Sequence, residues 1–103
     1  MDVTWPLLRE QLLALASPAP GRLEVSPLAL AAGAVVVGEL ERLGAPPPSC
    51  GVVPTSSAGL WLEWDGPRWA ILEIYAEGSW DWTGETQEDD QIDSLRIHLG
   101  AAQ

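Results

Sequence analysis

Two hydrophobic rhythms divide the chain. Up to about Gly44 the apolar residues recur every three to four positions, as on a helix, and from Leu60 to Thr83 they alternate with polar ones, as on a strand. Leu8, Leu12 and Leu15 fall at i, i+4 and i+7 behind Thr4 as a capping residue, with Pro6 in the first turn, where a missing N–H costs nothing. This predicts a first helix from about Trp5 to Ala16. SPAPGR, Ser17 to Arg22, is a connection by its two prolines and its glycine. Ser26-Pro27 repeats the start signal, and a second helix should run to about Leu43 with Gly44 as its stop. Its middle, ALAAGAVVVG, is apolar all round, which implies burial by neighbours or by another copy of itself. Gly33 and Gly38 weaken such a helix by up to ~1 kcal/mol each relative to alanine, which is tolerable where they let another element approach closely.

LWLEWD, WAILEIYA and SWDWT are divided by DGPR and EG, both turn chemistry, and read as an antiparallel three-stranded meander. Register decides the role of the tryptophans. A two-residue turn at Glu77-Gly78 would set Asp81 beside Leu72 and Ile74, burying a charge. A three-residue loop, Ala76-Glu77-Gly78, with the glycine in the left-handed bulge position, puts Tyr75 opposite Ser79 and sends Trp80 and Trp82 to the core. The second register is preferred, and the core face then carries Leu60, Leu62, Trp64, Leu72, Ile74, Trp80 and Trp82. The opposite face carries Trp61, Glu63, Trp69, Ile71, Glu73 and Tyr75, with Asp81 also turned to water. A purely solvated face would not hold four large apolar or aromatic groups. Either the C-terminal segment folds over it or something else binds it.

TGETQEDDQID, Thr83 to Asp93, reads as an acidic connection in which Glu88 to Asp90 form a solvated helix entrance. SLRIHL fits a strand by alternation or a helix through Ile92, Leu95 and Leu99 with Gly100 as the stop, and the helix is favoured. The expected fold class is α+β: two N-terminal helices packed on one face of a three-stranded antiparallel β-meander, with a short C-terminal helix. One small domain, 1–103, then comprises a helical half 1–44, a proline-rich linker 45–55 and a strand half 56–103. The three consecutive prolines at 46–48 make that linker a stiff, extended spacer.

The 103 residues are 47% hydrophobic and 19% charged, which is globular composition. Five of six tryptophans fall between Leu60 and Trp82, and there is no phenylalanine, so indole fills the volume of the small sheet. The net charge is −10. Met1 to Pro54 holds five acids and three arginines, whereas Thr55 to Gln103 holds ten acids and two arginines. That sign disfavours direct nucleic-acid binding and anionic membranes, and leaves a basic protein partner as a candidate. Cys50 is the lone cysteine, so neither an internal disulfide nor a cysteine metal cluster is expected, and a cytoplasmic location fits best. The N-terminus lacks a basic secretory leader, and Val25 to Gly38, the charge-free run of the second helix, is short for a membrane span.

PPPSCGVVPTSSAGLWLEW followed by WAILEIYAEGSW resembles a loosely defined group of small bacterial proteins in which P-x-V-x-P-T-x-x-G-G-x-x-L-E-W precedes an antiparallel β-meander. The matching residues are Pro48, Val53, Pro54, Thr55, Gly59, Leu62, Glu63, Trp64, Leu72, Glu73, Ile74 and Gly78. Members of that group have no assigned activity, so the resemblance implies no catalytic residues. PAPGR stands where the group usually has a tryptophan-aspartate-glycine segment before the second helix.

Catalytic chemistry is not indicated. Ser56-Ser57 lack a nucleophile motif, His98 is the single histidine, Cys50 has no basic neighbours, and lysine and a phosphate-binding glycine loop are both missing. Glu63 and Glu73 with Trp61 and Trp69 superficially suit a glycosidase, yet a flat small sheet offers little cleft. No enzyme activity, cofactor or metal is expected. The reading is a non-catalytic accessory or neutralising subunit that binds a protein partner, or a second copy as a homodimer. Its face would be Trp61, Trp69, Ile71 and Tyr75 as anchors among Glu63, Glu73 and Asp81. The alternative is a small-ligand module stacking a sugar or a cation on the same tryptophans.

Overall fold

A computed structural model of the chain describes residues 3–17, 21, 23–66, 68–84, 88–89 and 92–100. Helix α1 spans Trp5–Leu15 and α2 spans Pro27–Arg42. Each begins where the sequence signals a cap: the Leu7 N–H donates to Thr4 Oγ1 at 3.3 Å and the Ala29 N–H to Ser26 Oγ at 3.0 Å. The Ser26 hydroxyl also donates to the Ala76 carbonyl, which ties the start of α2 to the sheet. Gly44, at φ +81°, ends α2 in the left-handed region that glycine tolerates.

The sheet corrects the three-strand expectation. Among the described residues it has five antiparallel strands in chain order: β1 Val53–Pro54, β2 Leu60–Trp64, β3 Ala70–Ile74, β4 Trp80–Gly84 and β5 Glu88–Asp89. The central three are the expected meander. The two extra strands, of two residues each, cover its edges. β1 comes from the stretch read as linker, and Pro54 is acceptable there because an edge strand has one side without a ladder partner. β5 comes from the acidic run read as a helix entrance: pairing of Glu88 with Thr83 and Asp89 with Trp82 overrides the poor strand propensity of acidic residues. Asp90, the last residue of that expected entrance, lies outside the described residues.

The bulged register is the one found. Ile74 pairs with Trp80 and Leu72 with Trp82, the Tyr75 N–H donates to Ser79 O at 2.8 Å, and Gly78 sits at φ +94°. Leu60, Leu62, Trp64, Ala70, Leu72, Ile74 and Trp82 are buried in one cluster with Leu8 and Leu12 of α1 and Val36, Val37 and Leu40 of α2. Each large aliphatic side chain buried there contributes roughly 1.5–3 kcal/mol. Trp80 is half-buried at the margin of this core.

The C-terminal segment is a helix, α3, Ile92–His98. It packs on the same side of the sheet as α1 and α2: Leu95 is fully buried in the common core, and the Trp82 indole N–H donates to Ser94 Oγ at 3.1 Å. The other buried indoles also fasten separate segments together, Trp5 donating to Ala45 O at 3.0 Å and Trp64 to Pro46 O at 2.9 Å. Much of the indole in this chain is therefore packing material with a polar handle.

Candidate functional site: the outer face of the sheet

With the three described helices on one side, strand alternation leaves the other side to Trp61, Glu63, Ile71, Glu73, Asp81 and Thr83. Register brings most of the expected residues together. Trp61 lies opposite Glu73, Glu73 opposite Asp81, and Glu63 opposite Ile71. Directly opposed side chains stand about 4.5–5.5 Å apart at Cβ, and like charges so placed repel. Glu73 thus sits between an indole and a second carboxylate. Tyr75 closes one end of the face, its hydroxyl donating to both Asp81 oxygens at 3.0 and 2.9 Å. The Trp61 indole N–H donates to Glu63 Oε1 at 3.2 Å.

Every one of these residues is half-buried except the exposed Thr83. The described ion pairs, Arg9–Glu41, Arg42–Glu39 and Arg96–Asp93, all lie elsewhere, so among the described residues no cation balances Glu63, Glu73 or Asp81. Trp69 immediately precedes β3, next to Ala70. It is half-buried, and its carbonyl oxygen lies 2.8 Å from His98 Nε2 at the end of α3. His98 also lies against Trp82, with ring centroids 5.0 Å apart, so the one imidazole in the chain is held as a packing group.

Sequence reasoning missed the contribution of β1 and its turn. A shallow groove of about 510 Å³ runs between Trp61, Glu63 and Glu73 on one side and Val53, Thr55 and Ser57 on the other. Val53, opposite Trp61, is 46% exposed and extends the apolar part of the face. The β-branched pair Val52-Val53 was the available signal, masked by the prolines around it. The turn that forms the groove wall is tightly specified. The Thr55 N–H donates to Gly59 O at 3.0 Å and the Gly59 N–H to Thr55 Oγ1 at 3.1 Å, while a Cβ on Gly59 would come within 2.2 Å of the Ile74 carbonyl oxygen.

Among the described residues no three of His, Cys, Asp and Glu are grouped so as to hold a metal ion, and no helix is long and apolar enough to cross a membrane. Cys50 is exposed and free. In comparisons with known proteins, no family model, no curated protein and no solved structure matches this chain.

Proposed function

We propose that this protein is a non-catalytic interaction module, a small acidic accessory or neutralising subunit whose outer sheet face binds a basic protein partner in the cytoplasm. One observation supports this most: Glu63, Glu73 and Asp81 share a half-buried aromatic face that the described helices leave open, and no cation in the described residues neutralises them. A lysine or arginine from a partner would relieve the Glu73–Asp81 repulsion and stack on Trp61, gaining from charge and from the indole face together. Trp61, Ile71 and Tyr75 supply the apolar anchors, and the carboxylates supply orientation and steering. Trp69 belongs to the edge of this surface rather than to its centre.

The groove beside Trp61 favours a second reading, in which a free organic cation or a sugar stacks there without a protein partner. Tryptophan fluorescence separates the two. Titration with an arginine- and lysine-rich peptide should give saturable quenching that weakens with salt, disappears in Trp61→Ala and is reduced in Glu73→Gln. An uncharged peptide should give none. Response to a small quaternary ammonium ion or to sugars alone selects the second reading, and silence toward every probe removes both.

A further inference from the structure

We infer that two copies of this chain associate through the outward face of α2, helix against helix and antiparallel. α2 buries Ala29, Gly33, Val36, Val37 and Leu40 but leaves Leu28, Ala31, Val35 and Gly38 exposed, with Leu28 at 61% and Val35 at 67%. Their spacing of three, four and three is that of a heptad seam. The two glycines of this helix differ. A Cβ on Gly33 would meet Leu60 at 2.9 Å and Leu12 at 3.3 Å, whereas nothing lies within 4 Å of one on Gly38. Gly33 thus has a packing reason inside the subunit, and within the described residues Gly38 has none.

A second copy supplies that reason. With a two-fold axis at the level of Gly33, Leu28 meets Gly38 of the second copy and Ala31 meets Val35, so every layer pairs a large residue with a small one. A parallel pair would stack Leu28 on Leu28 and leave Gly38 on Gly38, one layer overfilled and another empty. The match is self-complementary, as a two-fold interface requires.

Electrostatics selects the same face. A chain of net charge −10 repels its own copies, and stacking the outer sheet faces would oppose Glu63, Glu73 and Asp81 to their counterparts. Val25 to Gly38 carries no charge. Leu28, Ala31 and Val35 of the seam also line a groove of about 450 Å³ with Ala32, Val36 and Trp80, which widens the apolar area, and Glu77 is the one charged residue in that lining. The 16 residues of α2 extend only about 24 Å, so the interface falls at the small end, under roughly 1,200 Å², and the dimer dissociates on dilution. This surface lies on the opposite side of the sheet from the proposed partner face, so the two proposals stand or fall separately.

Sedimentation equilibrium of the full chain over a range of protein and salt concentrations tests the idea. The expected result is a monomer–dimer equilibrium that tightens as salt screens the overall repulsion. Val35→Glu, at an exposed position, should weaken association about tenfold or more because it buries an unpaired charge in the seam, with an unchanged thermal melt at protein concentrations too low for the dimer. Gly38→Leu is the sharper variant. It fits the free subunit but collides with Leu28 of the second copy, so it too should weaken association, whereas a merely sticky surface would associate more tightly. A wild-type chain that stays monomeric at every concentration and salt, a dimer indifferent to Val35→Glu, or a tighter dimer in Gly38→Leu would each overturn the proposal.

Discussion

The two faces of one sheet use the same residue types to opposite ends. On the inner face Trp82, Leu72 and Ile74 are fully buried, and the Trp82 N–H finds its acceptor outside the sheet, in α3. On the outer face Trp61 and Tyr75 stay half-buried and donate to Glu63 and Asp81 of the same face. Indole on the inner side therefore joins helices to sheet, while on the outer side the aromatic groups hold carboxylates in place without neutralising them. An aromatic ring stabilises the fold only when another element covers it, and otherwise it is surface available to a partner.

The largest expected effect comes from exchanging the faces in a pair of truncations. Trp82→Ala should cost roughly 3–5 kcal/mol, since it empties the core and removes the donor to Ser94, and a urea unfolding curve will show whether the fold survives at all. Trp61→Ala, the same chemical change on the other side, should shift the midpoint by no more than about 1 kcal/mol while abolishing binding of the basic peptide. Equal losses from both would erase the distinction between the faces.

Next in size is the contrast between the glycines of α2. Gly33→Val should destabilise by about 1–3 kcal/mol through overpacking against Leu60 and Leu12. Gly38→Ala should stabilise the free subunit by up to ~1 kcal/mol, because it improves helix propensity in open space. Thermal melts at low protein concentration measure both without interference from association.

A smaller change sharpens the electrostatic side. Glu73→Gln removes one of two carboxylates that face each other across β3 and β4, and should raise stability by about 0.2–1 kcal/mol at low salt while reducing peptide affinity. A loss of stability instead would mean that the opposed charges are already balanced within the chain.

The smallest effect belongs to a carboxylate that has its own cation. Glu39 receives two hydrogen bonds from Arg42, at 3.1 and 2.7 Å, and the bonds from that guanidinium hold its carboxyl below the usual range. The folded state therefore binds that proton less readily than the unfolded chain does. The stabilisation is present above the unfolded value and is lost as pH falls through the lowered folded one. Arg42→Ala should accordingly be slightly less stable than wild type at neutral pH, with the difference vanishing in strong acid. Paired melts at the two pH values will check it, and a gap that persists in acid would assign the loss to packing instead.

Much of this fold was legible because the signals were local. Thr4 and Ser26-Pro27 mark helix starts by side-chain chemistry within three residues, and Gly78 fixes the register because only the bulged loop keeps Asp81 out of the core. The edge strands were not legible. The signal of Val52-Val53 is masked by the prolines around it and Glu88-Asp89 has none, so both strands exist because β2 and β4 offer unpaired edges. Among the candidate site residues, period-two alternation was enough to gather Trp61, Glu63, Ile71, Glu73, Tyr75 and Asp81. It could not show that the Trp69 carbonyl meets His98 of α3, nor that the turn after β1 walls a groove against Trp61.

By itself the sequence determined which residues share a face, since the periods of helix and strand are set by backbone geometry and side-chain direction follows from them. Only the tertiary structure decided which face is covered. Ile92, Leu95 and Leu99 would suit either side of the sheet, and the choice fell to the helical side because burying Leu95 beside Trp82 and α2 removes more apolar surface from water than covering a face already lined with carboxylates.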